Sequence, residues 1–171
     1  AYNDLDRLVG KDLPGTEPDV AYAYDNLGRS TEVTSAVAAL AYTYDALDRV
    51  TRQSSPQGNT DYQYDLAGRR TRLTWPGGDF YVTYDYLLTG EMTAIRENGA
   101  GSGLGVLARF DYDNLGRRTK LTRGNNATTS YCYGGATTPN CISPAGAYYL
   151  TGISQDLSGA AADLDQNFTY N

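Results

Sequence analysis

Histidine is absent from this chain of 171 residues, and methionine and tryptophan occur once each. Without an imidazole there is no Ser-His-Asp or Cys-His catalytic group, and the commonest protein metal ligand is missing. The sequence also has no run of 18 apolar residues of the kind that spans a membrane. We therefore expect no enzyme, no metal site, no cofactor and no membrane insertion.

Cysteine is nearly absent as well, with Cys132 and Cys141 as the only two residues of this type. A disulfide between them would form in an oxidising compartment. Two thiols alone do not define a disulfide framework, so a bonded pair and two free thiols both stay open.

Positive charge is scarce relative to negative charge, with 14 Lys and Arg against 20 Asp and Glu and a net charge of -6. Nucleic-acid binders derive their affinity from neutralising phosphates with basic side chains. The balance therefore predicts that nucleic acid is not a partner.

Tyrosine and glycine are what the chain has in abundance, with 16 and 19 residues against only 3 Phe. Aromatic rings suit the pleated, half-buried surface of a β-sheet, and glycine suits tight turns. The composition therefore predicts short strands joined by tight turns.

A motif of the form Tyr-Asp-x-x-x-Arg recurs along the chain, where composition alone predicts roughly 0.1 occurrences. It is found at 24–29, 44–49, 64–69 and 112–117. Tyr84-Asp85 lies a further 20 residues after Tyr64, although Gly90 then comes two places late. Diverged copies lie at Tyr2, at 131–133 and at 168–171.

These copies predict one repeat array over residues 1–171, with repeats starting near 2, 24, 44, 64, 84, 112, 133 and 170. Two irregular insertions, 98–105 and 134–147, interrupt it. Because the chain begins and ends inside repeats, we expect it to be a segment of a longer polypeptide, with unpaired edge strands able to associate edge to edge.

Each repeat is predicted to be a hairpin. An aromatic-x-aromatic pair places two rings on one face of a strand, and Asp-x-x-Gly, or Asp-x-x-Asp at 45–48, then forms a turn, at 25–28, 45–48, 65–68 and 113–116. The arginine after the turn is expected to cover a tyrosine ring and meet the turn aspartate, the alternative being a row of anion-binding arginines. The motif residues are Tyr24, Asp25, Gly28, Arg29, Tyr44, Asp45, Arg49, Tyr64, Asp65, Gly68, Arg69, Tyr84, Asp85, Tyr112, Asp113, Gly116 and Arg117.

After the turn, the residues alternate with a period of two. Val33 and Leu73 fall on the aromatic face. The opposite face is predicted to be charged and exposed, and it includes Glu32, Arg52, Arg72, Ala94 and Lys120.

Tyr-Asp-Asn-Leu-Gly-Arg on a period near 20 closely resembles the YD repeat, or Rhs repeat. This repeat occurs in bacterial Rhs and toxin-complex proteins, in wall-associated proteins and in teneurins. The resemblance implies an all-β fold, in which tandem antiparallel hairpins of about 20 residues form a curved, extended sheet. In bacterial members that sheet spirals into a shell around a toxic C-terminal domain.

The leading functional hypothesis is therefore a non-catalytic structural segment of a larger secreted or surface protein of a bacterium, whose shell encloses a toxin. Its partners would be the rest of its own polypeptide and the enclosed domain. The alternative is a cell-surface adhesion or glycan-binding module. Such a site should break the repeat in one place, and the breaks at 84–105 and 131–147 are where it is expected.

Overall fold

The computed structural model describes residues 1–15, 17, 19–134, 149–157 and 164–168. The chain forms two compact units, unit 1 (Ala1–Tyr81) and unit 2 (Val82–Asn171). The expectation of a single array over 1–171 stays a prediction.

Unit 1 is an antiparallel meander in which each strand pairs with the next in sequence. Its strands are β1 (Gly10–Lys11), β2 (Val20–Tyr24), β3 (Ser30–Ser35), β4 (Ala39–Tyr44), β5 (Val50–Ser55), β6 (Gly58–Tyr64) and β7 (Arg70–Thr74).

Unit 2 is built in the same way, and it begins one residue inside its first strand. Consecutive strands are again paired antiparallel. They are β8 (Tyr81–Tyr86), β9 (Met92–Glu97), β10 (Val106–Tyr112), β11 (Arg118–Arg123), β12 (Thr128–Tyr133), β13 (Leu150–Asp156) and β14 (Leu164–Asn167). A 3₁₀ turn at Gly103–Gly105 is the one helical element within the described ranges. The predicted all-β class of tandem antiparallel hairpins is confirmed.

Directly paired residues of antiparallel strands share a face of the sheet. By this rule the two faces follow the predicted alternation. Tyr22 pairs with Val33, and Tyr62 pairs with Leu73. On the opposite face, Arg52 pairs with Asp61. Two residues predicted to be exposed on the charged face are instead buried or half-buried, because neighbouring side chains pack against them. Ala94 is only 3% exposed, and Arg72 is half-buried with its guanidinium 3.6 Å from the centre of the Tyr81 ring.

Nearly complete burial of apolar side chains is confined to unit 2 within the described part of the chain. The residues concerned are Val82, Ala94, Val106, Ala127 and Cys132. In unit 1 the strands alternate between half-buried and exposed positions, as in β2 and β4. Since no deep core supports these hairpins, contacts between neighbouring repeats must contribute much of their stability.

Candidate functional site

The turn of each repeat is organised by its aspartate. Asp25 Oδ1 accepts hydrogen bonds from the backbone N–H groups of Leu27 and Arg29, both at 2.9 Å. Gly28 N donates to Asp25 O at 3.0 Å, and Asp25 N donates to Arg29 O at 3.0 Å. Asp45, Asp65 and Asp113 accept the equivalent bond from the arginine N–H. The aspartate thus closes a tight turn followed by a bulge.

The fourth turn residue has a positive φ, which is why glycine stands there in most copies. Gly28, Gly68 and Gly116 have φ values of 86°, 82° and 73°. Asp48 takes this position in the second full repeat with φ 61°. Aspartate tolerates the left-handed region better than most residues, so the turn survives the substitution.

The arginine that follows each turn is tied to its own aspartate. The distance from Arg Nε to Asp Oδ2 is 2.6 Å for Arg29 and Asp25. It is 2.7 Å for the pairs Arg49–Asp45, Arg69–Asp65 and Arg117–Asp113. This bond orients the planar guanidinium group.

The same guanidinium reaches the next repeat. Arg29 Cζ lies 4.6 Å from the centre of the Tyr44 ring, and Arg29 Nη1 donates to the Asp45 carbonyl at 3.2 Å. Arg49 repeats both contacts, at 4.6 Å to Tyr64 and 3.1 Å to the Asp65 carbonyl. In unit 2, Arg117 lies 4.4 Å from the Tyr133 ring.

The tyrosine hydroxyl in turn donates a hydrogen bond back to the preceding repeat. Tyr44 Oη donates to the Ser30 carbonyl at 2.6 Å, one residue beyond Arg29. The equivalent bonds are Tyr24 to Leu8 at 2.7 Å, Tyr64 to Val50 at 2.9 Å and Tyr112 to Met92 at 2.8 Å. We call this set of arginine, tyrosine and carbonyl contacts the arginine–tyrosine ladder, and each arginine with the tyrosine of the next repeat is one rung.

The hydrogen bonds within each turn shift the ionisation of the turn carboxylates. Partial burial raises the pKa of Asp25, but the hydrogen bonds from Arg29 outweigh it and hold the pKa of that carboxyl below its usual value. The same balance lowers the pKa of Asp45, Asp65 and Asp113. The carboxylates therefore stay ionised in the folded chain, paired with their arginines.

Acid should weaken the fold for this reason. A carboxyl with a folded-state pKa below its unfolded value stabilises the fold above the unfolded pKa, about 3.9 for aspartate, and loses that contribution as the pH falls through the folded pKa. We expect the melting temperature to drop as the pH falls below about 4. In the variant Asp25→Asn/Asp45→Asn/Asp65→Asn/Asp113→Asn, this acid-dependent drop should be smaller. Thermal melts followed by circular dichroism from pH 6 to pH 2 measure it, and identical slopes in both proteins would reject the assignment.

The first turn of the chain lacks the carboxylate that pairs with its arginine. Asn3 stands in the aspartate position, and its Oδ1 accepts from the N–H groups of Leu5 at 3.0 Å and Arg7 at 2.9 Å. Arg7 still reaches the next repeat, 5.0 Å from the Tyr24 ring. However, an amide nitrogen cannot accept a hydrogen bond, and Arg7 Nε is buried without a partner in the described part of the chain.

Restoring the aspartate should therefore stabilise the chain. Asn3→Asp is expected to raise the free energy of unfolding by about 1 kcal/mol, because a buried donor gains a charged acceptor. Asn26→Asp makes the same chemical change at an exposed turn position and should have little effect. Urea unfolding of both variants measures the difference, and equal values would contradict the proposed defect.

A second departure corrects the predicted repeat start at Tyr84. Tyr84 and Asp85 lie inside β8, and Asp85 pairs with Arg96 at 2.6 Å instead of forming a turn. The turn falls two residues later, where Leu87 N donates to Glu91 O at 2.8 Å and Gly90 N donates to Leu87 O at 3.1 Å. Tyr86 is therefore the residue before the turn, as Tyr24 is in its own repeat. The predicted start at Tyr84 is two residues too early because the motif Tyr-Asp-x-x-x-Arg requires an aspartate.

This repeat has no arginine–aspartate pair at its turn. Leu87 replaces the aspartate and Glu91 replaces the arginine. The Glu91 carboxylate lies beside Gly116 of the next turn and accepts a short hydrogen bond from Thr89 Oγ1, which lowers the pKa of Glu91. The tyrosine half of the rung persists, since Tyr112 still donates to the Met92 carbonyl.

Other predicted features have mixed outcomes. Tyr133 lies at the end of β12, and the Arg117 guanidinium lies over its ring. The expected start near 170 and most of the insertion 134–147 lie outside the described residues. Cys132 is buried in β12 and Cys141 lies outside the described residues, so their pairing stays a prediction. Within the described ranges no cluster of acidic, His or Cys side chains could hold a metal ion, and no helix has the length and apolarity needed to cross a bilayer.

Each unit is thus a series of β-hairpins in which arginine–tyrosine rungs connect neighbouring hairpins. Residues 41–79 match the family model described as RHS Repeat. They contain two consecutive complete turns, at 45–48 and 65–68. The predicted resemblance to the YD or Rhs repeat is confirmed over these residues. No curated protein sequence matches the chain significantly.

Three solved structures have a similar fold. TcdB2-TccC3-TEV superposes with a TM-score of 0.53 over 88% of this chain at 14% identity. TcdB2-TccC3 without the hypervariable C-terminal region gives 0.52 over 90% at 15% identity, and the Photorhabdus luminescens Tc holotoxin pore gives 0.52 over 88% at 14% identity. At such identities the likeness concerns the fold alone. This chain covers 10%, 10% and 9% of those chains, respectively.

Proposed function

We propose that this Rhs-repeat segment is part of the β-shell of a larger secreted or surface protein, and that the shell encloses a C-terminal toxin or effector domain. The chain itself is non-catalytic. Its partners are the remainder of its own polypeptide and the enclosed domain.

The ladder is the observation that carries this proposal. Arg49 donates hydrogen bonds to the Asp45 carboxylate and to the Asp65 carbonyl, and the face of its guanidinium covers the Tyr64 ring. Side chains used in this way hold one hairpin against the next and leave little chemistry for a substrate. Polar groups that bind the neighbouring repeat are consistent with a structural role in the β-shell.

The turn tips supply a second line of support. Each carries a leucine at least 66% exposed: Leu5, Leu27, Leu47, Leu66, Leu88 and Leu115. Exposed apolar side chains that form a contiguous patch are typical of contact surfaces. In a shell these leucines would contact other parts of the parent polypeptide. The edge-to-edge association expected from the end strands stays a separate prediction.

Limited proteolysis of the parent polypeptide tests the proposal. In the intact protein the C-terminal domain should resist a protease that rapidly digests the same domain expressed alone. Disrupting two rungs with Tyr44→Ala/Tyr64→Ala should expose it. Equal digestion of the domain in both contexts would reject enclosure, and cell or glycan binding by a parent with an exposed C-terminal domain would favour the adhesion alternative.

A further inference from the structure

A cavity of about 250 Å³ lies where the insertion 98–105 breaks the repeat. It is bounded by the loop before β10 and by the end of β11. Its polar lining comes from Ser102, Gly103, Arg109, Thr122, Arg123 and Asn126.

Backbone geometry explains why the cavity forms here. Asn98 and Gly99 adopt positive φ angles of 47° and 72° in a tight turn, in which Ala100 N donates to Glu97 O at 2.9 Å. At the other wall, a Cβ added to Gly124 would lie 2.6 Å from the Leu104 carbonyl oxygen. Glycine at this position therefore lets the inserted loop approach the end of β11.

The cavity is positively charged, although the chain as a whole is acidic. Arg109 Nη2 donates to the Gly101 carbonyl at 2.9 Å, and Arg123 Nη1 donates to Thr129 Oγ1 at 3.2 Å. Neither arginine has a carboxylate partner among the described residues. In this they differ from the ladder arginines, such as Arg49.

No acidic residue contributes to the lining. Asp111 shares a face of β10 with Arg109, but it is paired in register with Lys120 on β11. The lining itself therefore presents arginine, hydroxyl and amide donors without a carboxylate.

We propose that this cavity binds a small molecule bearing an oxyanion, namely the carboxylate or sulfate of an acidic monosaccharide. Arginine presents a planar fork of donors that matches such groups in two hydrogen bonds. The Ser102, Thr122 and Asn126 side chains would bond sugar hydroxyls. The volume lies below the usual range for drug-sized ligands, about 300–1,000 Å³, and suits one sugar ring. This site adds a binding activity to the structural role and does not depend on it.

Titration of the 171-residue chain with glucuronate, glucose and inorganic sulfate, followed by calorimetry, tests the site. We expect glucuronate to bind and neutral glucose not to bind. Arg109→Ala should weaken glucuronate binding at least about tenfold, because the paired charge–charge contact is lost. Arg118→Ala removes the same charge from β11 at a residue that packs 4.6 Å from the Phe110 ring, and should leave binding unchanged.

Sulfate binding as tight as that of glucuronate would support an oxyanion site without a contribution from the sugar. Arg109→Lys keeps the charge but loses the fork, so its affinity should fall between wild type and Arg109→Ala. Absence of binding by both anionic probes, or equal affinity in Arg109→Ala and wild type, would overturn the proposal.

Discussion

Replacing Tyr44 with alanine is expected to lower the free energy of unfolding by about 2–3 kcal/mol, somewhat less than for a fully buried aromatic ring. Tyr44 is half-buried at the end of β4. Its ring packs against Arg29, and its hydroxyl donates to the Ser30 carbonyl at 2.6 Å. The substitution removes both the ring contact and the bond to the preceding hairpin. Urea unfolding followed by circular dichroism measures the loss.

Two controls separate these contributions. Tyr44→Phe keeps the ring and removes only the hydroxyl, which should cost about 1 kcal/mol. Tyr2 is 70% exposed, so Tyr2→Ala should have little effect. If Tyr2→Ala cost as much as Tyr44→Ala, the ladder tyrosines would not be the residues that stabilise the array.

Arg49→Ala is expected to lower the free energy of unfolding by about 2 kcal/mol, since it removes a charged hydrogen bond and a cation–π contact together. Arg49 connects Asp45 of its own turn with the Asp65 carbonyl and the Tyr64 ring of the next repeat. Thermal and urea unfolding should both show the loss.

Arg52 is the matched control, because it lies three residues away in the same hairpin. It pairs with Asp61 at 2.5 Å, and the two side chains are 47% and 37% exposed. Such surface pairs contribute little, so Arg52→Ala should leave the unfolding midpoint nearly unchanged. A larger loss for Arg52→Ala than for Arg49→Ala would mean that the exposed face stabilises the sheet.

The turns could be predicted from the sequence because their determinants are local. Asp-x-x-Gly contains both the side-chain acceptor and the residue that takes a positive φ, so the four turns from 25–28 to 113–116 follow directly. Asp48 fits the same rule, because aspartate can adopt the left-handed region.

The repeat at Leu87–Glu91 shows where a motif search fails. Leu87 and Glu91 keep the backbone hydrogen bonds of the turn while replacing both of its charged side chains. The useful signal was the aromatic pair Tyr84 and Tyr86, followed by Gly90 at the distance that separates Tyr24 from Gly28. Backbone conformation, rather than the aspartate, defines the repeat at this position.

The tyrosine bonds were beyond sequence analysis for a different reason. Their acceptors are backbone carbonyls 14 residues earlier for Tyr44 and Tyr64, and 20 residues earlier for Tyr112. The acceptor depends on how successive hairpins pair, and inserted residues change its separation along the chain. The cavity beside Arg109 likewise depends on the path of the inserted loop, which no local pattern specifies.

The claim that the ladder couples neighbouring repeats is tested most directly by a double-mutant cycle on Arg49 and Tyr64. The free energies of unfolding of wild type, Arg49→Ala, Tyr64→Ala and the double variant give their interaction energy. We predict a coupling of about 1 kcal/mol or more, as for residues in direct contact. The parallel cycle on Arg49 and Tyr24, which belong to different rungs, should give a value near zero. A coupling between Arg49 and Tyr64 no larger than that of the control pair would contradict the ladder.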